Sequence, residues 1–252
     1  MKSGAFPGLP GAWTRREHES ASERPPPSAS AASASSSSSA MIVPAALPSV
    51  FVLGDSISIH YGPYLAEALG DGFRYDRKRA PEDATLPDQA NGGDSGQVLA
   101  YLRSAAGRAI PPGFLLLNCG LHDIKLHPGA DSCQVPVDRY ESNLEESLRC
   151  CAERALQAIW VRTTPVVEAL HRARSPGFDR READLAAYNT RADRVMGRHG
   201  IPTVDLHRFT LPFLPGGVVD HVHFGVEVRR LQGAFLAGFI QGRWSGLTEA
   251  GR

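Results

Sequence analysis

The 252-residue chain carries 27 basic and 27 acidic side chains and no formal net charge. No basic stripe interleaved with aromatics runs along it, which argues against nucleic acid as a partner. Cys119, Cys133, Cys150 and Cys151 show no Cys-x-x-Cys spacing, so neither a zinc site nor a disulfide framework is indicated, and a reducing, cytoplasmic setting is expected.

Residues 1–46 differ in kind from the rest. Glu23-Arg24-Pro25-Pro26-Pro27-Ser28 leads into an Ala/Ser tract that ends in a serine run at residues 35–39, a composition too poor in apolar side chains to offset its own conformational entropy. Disorder is expected there, with Met41 as an alternative start of translation. The segment lacks the continuous apolar core of a secretory signal, and no stretch reaches the roughly 18 apolar residues of a membrane span. The globular pattern occupies residues 47–244, long enough for one substantial core, with 245–252 read as a tail.

Within that domain short apolar runs alternate with amphipathic stretches, the pattern of βαβ units. Residues 50–53 read as the first strand and 64–69 as a helix face. A short strand near 73–75 lies in a polar, irregular region, followed by helical spacing over 97–106. The run 114–117 is the clearest buried strand and 140–156 the clearest helix, with Leu144, Leu148 and Cys151 on one face. A strand at 158–161, a helix over 180–199 closed by Gly200, a short strand at 203–206 and a last helix over 225–240 complete the chain. The fold class is therefore a three-layer α/β/α sandwich around a doubly wound, mostly parallel, five-stranded sheet. Right-handed crossovers place the ends of the strands on one rim.

Residues just past those strand ends carry the chemistry. Gly54-Asp55-Ser56 follows the first strand and puts a hydroxyl at the turn, while Asp220-His221-Val222-His223 puts a carboxylate and an imidazole three residues apart before the last helix. A serine attacks only when a base takes its proton, and a histidine base works best when a third group fixes its tautomer. Asp55 and Asp123 are expected to hold loops by accepting from backbone amides.

Two further blocks, Asn91-Gly92-Gly93-Asp94-Ser95 and Asn118-Cys119-Gly120-Leu121-His122-Asp123, lie between these in order. On the four blocks together the sequence resembles the SGNH (GDSL-type) hydrolases, a resemblance that covers the whole globular part, about four-fifths of the chain. The resemblance implies Ser56 as nucleophile, His223 as base and Asp220 as its orienting carboxylate. It also implies an oxyanion hole lined by Gly93, with Gly92 and Gly96 as alternatives. The third block departs from the family's pattern, since His122 stands where an asparagine amide is usual. Imidazole can donate through a ring N–H, so His122 is expected to replace that amide, with a protonation that tunes activity near neutral pH. Asn118 is the alternative donor, placed upstream at the strand end. The implied reaction is hydrolysis of small or short-chain esters, with O-acetyl groups on carbohydrate as one class, and with neither cofactor nor metal.

Two other readings start from the same residues. His221 and His223, with His122, Asp123 and His127, could form the ligand set of a metal-dependent hydrolase, although their spacing is loose. A non-catalytic binding domain with a decayed oxyanion hole is the other. The segments 75–90, 126–138 and 169–178 are expected to shape specificity.

Overall fold

The computed structural model describes residues 47–80, 87–174 and 177–250; the expected disordered segment and the Met41 start lie outside them. Strand β1 (Ser49–Leu53) is buried along its whole length, because it runs between two parallel neighbours. Its register pairs Val50 with Tyr75 of β2 (Arg74–Arg77) on one side and with Phe114 of β3 (Gly113–Leu117) on the other. Beyond β3 lie β4 (Leu156–Val161) and β5 (Thr203–Val204), so the order is β2-β1-β3-β4-β5 and every pairing is parallel. The chain steps outward from β1 to β2, then returns to the other side of β1. Strand order therefore reverses between β1 and β3, the crevice where open α/β sheets place their ligands.

Helices cover both sides. α1 (Ser56–Leu69) and α7 (Leu206–Thr210) pack on the closing helix α8 (Val226–Ala250), and α4 (Val137–Ala152) packs on both α2 (Ser95–Arg103) and α6 (Glu182–Arg198). The core is one continuous apolar cluster, with Leu115, Leu116, Leu117 and Trp160 fully buried at its centre. Helices α1 and α8 meet at Gly233, where a Cβ would lie 2.6 Å from the Leu65 nitrogen. Only a residue without a side chain allows so close a crossing.

Several boundaries differ from the sequence reading. The first helix begins at Ser56 rather than near Tyr64: Asp55 caps it by accepting from the Ile57 N–H at 3.0 Å, and Gly62-Pro63, a pair that reads as a break, is carried inside it. Leu156 is the first residue of β4, not the end of α4, because the chain turns through Ala155 at a left-handed φ of 52°. The helix over 97–106 is two helices, since Ser104 ends α2 and caps α3 (Ala105–Arg108) through its hydroxyl. Asp205 leaves the last strand after two residues to cap α7. Helix α5 (Glu168–Arg174) occupies a stretch read as loop, and α8 continues to Ala250, past the expected domain end at Trp244.

Candidate active site

Ser56 is not in a turn but is the first residue of α1, at the sheet's reversal point, where the helix dipole is positive and Asp55 takes the N–H groups of Ile57 and Ser58 through its carboxylate and carbonyl. Its Oγ lies 2.7 Å from Nε2 of His223, and His223 Nδ1 lies 2.7 Å from Oδ2 of Asp220. The other carboxylate oxygen of Asp220 accepts from the backbone N–H groups of Val222 and His223, each at 2.8 Å. Burial pushes the Asp220 carboxyl up, but these two N–H groups and the His223 ring outweigh it and hold the group well below the usual carboxylate range. Asp220 is therefore an anion throughout the physiological range, fixed in the orientation that requires a proton on His223 Nδ1 and leaves Nε2 to accept from Ser56.

His60, one helical turn after Ser56 and so on the same face of α1, packs its ring against His223 with centroids 4.5 Å apart. Burial, with His223 and Arg229 nearby, lowers its pKa to about 4, so the ring is neutral and presents no charge to His223 at pH 7. Nothing in the sequence marked it beyond its spacing from Ser56.

The second and third blocks converge beside the serine. Gly92 donates to the Gly54 carbonyl at 2.8 Å, and a Cβ on Gly92 would lie 2.9 Å from that same oxygen. The Gly93 N–H donates to Asn91 Oδ1 at 2.8 Å, so the amide expected to line the oxyanion hole is engaged by a side chain two residues earlier. Asn91 Nδ2 in turn lies 3.3 Å from His122 Nε2. Gly96, the remaining alternative, lies inside α2. The amide of Asn118 is committed elsewhere, to the Val161 carbonyl at 2.7 Å and the Thr163 hydroxyl at 3.3 Å.

Burial, reinforced by Lys125, Arg180 and His223, lowers the His122 pKa to about 3. Its protonation therefore does not fall near neutral pH, contrary to the expectation from sequence: a half-hidden imidazole with Lys125 and Arg180 nearby stays neutral. Asp55 and Asp123 accept from backbone amides as expected, Asp55 from Ile57 and Asp123 from Ser95 at 2.9 Å. Burial raises Asp123 to about 7.

Arg180 joins the site from outside the four sequence blocks. It is 4% exposed, donates through Nε to the Leu121 carbonyl at 2.6 Å and places Nη1 3.2 Å from His171 Nε2. It thereby holds the backbone immediately before His122. Its position in an irregular segment ahead of α6 gives no signal in the sequence.

The histidines of the alternative metal set are turned to other partners. His127 Nε2 pairs with Gln134 Oε1 at 3.2 Å, His122 with Asn91, and His223 with Ser56 and Asp220. The ring of His221 packs edge-on to His171, with centroids 5.2 Å apart. Among the described residues no group of three or more histidine, cysteine or acidic side chains is arranged to hold a metal ion, and no helix is long and apolar enough to cross a membrane.

The chain matches no family model, and no curated protein matches it. Solved structures do. A lipase/acylhydrolase from Enterococcus faecalis superposes with a TM-score of 0.59 at 17% identity, covering 78% of this chain and 97% of that one. A GDSL-like lipase from Bacteroides thetaiotaomicron gives 0.56 at 16% identity, over 77% and 88% of the two chains. An acetyl xylan esterase gives 0.55 at 12% identity, over 76% and 99%. The chain has the α/β/α fold of the SGNH (GDSL-type) hydrolases.

Proposed function

We propose that the protein is a serine esterase that cleaves small or short-chain carboxylic esters through an acyl-enzyme. The observation that carries this reading is the unbroken relay from Ser56 through His223 to Asp220, with both contacts at 2.7 Å. A fold alone does not assign an activity, whereas this geometry matches the needs of an activated serine.

In this reading His223 Nε2 takes the Ser56 proton as Oγ attacks the ester carbonyl. Asp220 stabilises the resulting imidazolium and is not itself protonated. The carbonyl oxygen becomes an anion at the N-terminus of α1, where the Ser56 N–H and the helix dipole favour negative charge. His122 supplies a ring N–H to the same oxygen, and Gly93 contributes by orienting Asn91. His223 then protonates the leaving alcohol, and a water molecule repeats the sequence to release the acid. The Oγ–C bond forms as the C–O bond to the alcohol breaks, and water then displaces Oγ in the same way, with every proton carried by His223, so the reaction is written without a cofactor or a metal.

For the substrate, the acetyl xylan esterase with the same fold supports O-acetylated carbohydrate as one class. A groove of about 1220 Å³ shares Asn91 and Gly92 with the site and is lined in part by Lys78, Gln97 and Tyr101, a mixture of polar and aromatic surface suited to a sugar leaving group. The test is hydrolysis of p-nitrophenyl esters of increasing acyl length and of acetylated sugars, with Ser56→Ala as control. Loss of turnover in Ser56→Ala and labelling of Ser56 by a fluorophosphonate are expected. An unchanged rate would remove Ser56 as nucleophile, and a wild-type protein inert to both ester and probe would favour a binding domain.

A further inference from the structure

We propose that Asn91 is a positioning residue that locks His122 into the tautomer with its proton on Nδ1, so that Nδ1–H is the ring's donor to the oxyanion. The catalytic half of this statement rests on the esterase reading; the tautomer does not.

The assignment follows from which groups can only donate. A backbone N–H cannot accept, so the 2.8 Å contact from Gly93 requires the Asn91 oxygen on that side. The Asn91 nitrogen then faces His122 Nε2 at 3.3 Å, and an amide nitrogen likewise only donates. Nε2 must therefore be the unprotonated, accepting nitrogen, and in a neutral imidazole the proton sits on Nδ1. Among the described residues no acceptor pairs with Nδ1, which leaves that N–H for a ligand.

Both ends of the contact are held. The Asn91 carbonyl accepts from Lys78 Nζ at 2.8 Å, and the next residue, Gly92, is tied to Gly54 at 2.8 Å. On the other side Arg180 grips the Leu121 carbonyl at 2.6 Å, and the Ile124 N–H closes the turn onto Gly120 at 3.0 Å. A lone asparagine on a free loop would swivel; here a flip of the amide would set its nitrogen against the Gly93 N–H, two donors face to face.

Protonation of His122 would create the same conflict, since Nε2–H would oppose Nδ2–H. The charged groups around the ring act in that sense too. Lys125 on its own loop, Arg180 from the segment before α6 and His223 from the segment before α8 all disfavour imidazolium. Asp123, the adjacent carboxyl, is committed to the Ser95 N–H. Lys78, from the end of β2, reaches the site through the Asn91 carbonyl rather than the ring.

The experiment is ¹⁵N–¹H correlation of the imidazole nitrogens in ¹⁵N-histidine-labelled protein between pH 5 and 8, with His122→Asn to assign the signals among the nine histidines. Expected are a protonated Nδ1 and an unprotonated Nε2 for His122, constant across that range and unchanged in Ser56→Ala. Asn91→Asp presents an oxygen to Nε2, which can only accept. It should move the proton to Nε2, introduce a titration of His122 inside the range, and lower kcat on a p-nitrophenyl ester by roughly 10- to 100-fold with KM within about threefold, on the scale of a mis-aimed oxyanion donor. A wild-type His122 protonated on Nε2, or an Asn91→Asp protein with the wild-type tautomer and pH profile, overturns the proposal. Should Asn91→Asp fail to fold, the wild-type spectrum alone decides. An inactive wild type with the Nδ1–H tautomer would instead count against the esterase reading while leaving the role of Asn91 in place.

Discussion

His60 lies against His223 with ring centroids 4.5 Å apart and planes inclined by 55°, so the face of the imidazole proposed as base is covered by a second imidazole from the helix that begins with Ser56. The contact ties the rotamer of His223 to the serine it serves. Since burial keeps His60 neutral at pH 7, what it supplies is shape. His60→Phe should retain ester turnover within about threefold, whereas His60→Ala, which frees the ring, should lose about tenfold in kcat, within the range that small misplacements cost. Steady-state kinetics of the two variants is the check, and equal losses in both would mean that ring packing is irrelevant.

The contrast between His60 and Ser56 shows what could be read from the chain. Ser56 stands in a short block directly after β1 and Asp220 and His223 in one just before α8, and both strands and that last helix announce themselves by their apolar spacing, so the sheet and these three side chains are accessible to sequence reasoning. His60, Asn91 and Arg180 owe their places to convergence in space. Arg180 meets Leu121 across 59 positions of sequence, a separation that no local pattern encodes. For Gly93, a glycine in a block marks where a backbone can approach, not which acceptor its N–H will find, and here that acceptor is Asn91 Oδ1. The boundaries that shifted did so at caps and breakers. Asp55 starts a helix despite Gly62-Pro63 downstream, and Ala155 turns the chain where continued helical periodicity would have carried it through Leu156.

Asp220→Asn separates orientation from geometry. An amide oxygen can still accept from the Val222 and His223 N–H groups, so the loop should keep its shape. With the amide oxygen held there, its NH₂ would face His223 Nδ1, which must then accept, placing the proton on Nε2, the wrong nitrogen for a base acting on Ser56. Turnover is expected to drop by about 10³- to 10⁴-fold, as it does when the same change is made in a serine protease triad. Circular dichroism and melting close to wild type, alongside the kinetic loss, would complete the expected result; a loss below about tenfold would show that Asp220 does not set the tautomer.

Acid should destabilise the fold through the buried imidazoles. Burial depresses His60 and His171 to about 4 and His122 to about 3 from an ordinary value of 6.5. Between those values the unfolded chain binds protons that the folded chain does not, so stability is full above about pH 6.5 and declines as pH falls through that window. Asp55 and Asp123, both raised by burial, work in the opposite sense and offset part of the effect. Thermal melts should show a lower Tm at pH 5 than at pH 7.5, and the drop should be smaller in His60→Phe, which removes one of the three imidazoles. The same slope in both proteins would exclude His60 from the linkage.

Two glycines on α8 should respond in opposite directions. A Cβ on Gly233 would lie 2.6 Å from the Leu65 nitrogen and 2.7 Å from the Tyr64 carbonyl carbon, both backbone atoms of α1 that cannot swing aside, whereas a Cβ on Gly238 meets nothing within 4 Å. Gly233→Ala must therefore push α8 away from α1, at a cost of about 1–3 kcal/mol typical of overpacking. Gly238→Ala should add up to about 1 kcal/mol, because alanine loses less entropy than glycine in a helix. The kinetic consequence is specific to the first. Ser56 begins α1 and His223 stands just before α8, so parting the helices lengthens the 2.7 Å contact between Oγ and Nε2. Chemical denaturation and kcat measured on both variants should show Gly233→Ala less stable and slower, and Gly238→Ala more stable at wild-type kcat. A Gly233→Ala protein that loses stability but keeps full turnover would show that the helix crossing does not set the distance between serine and histidine.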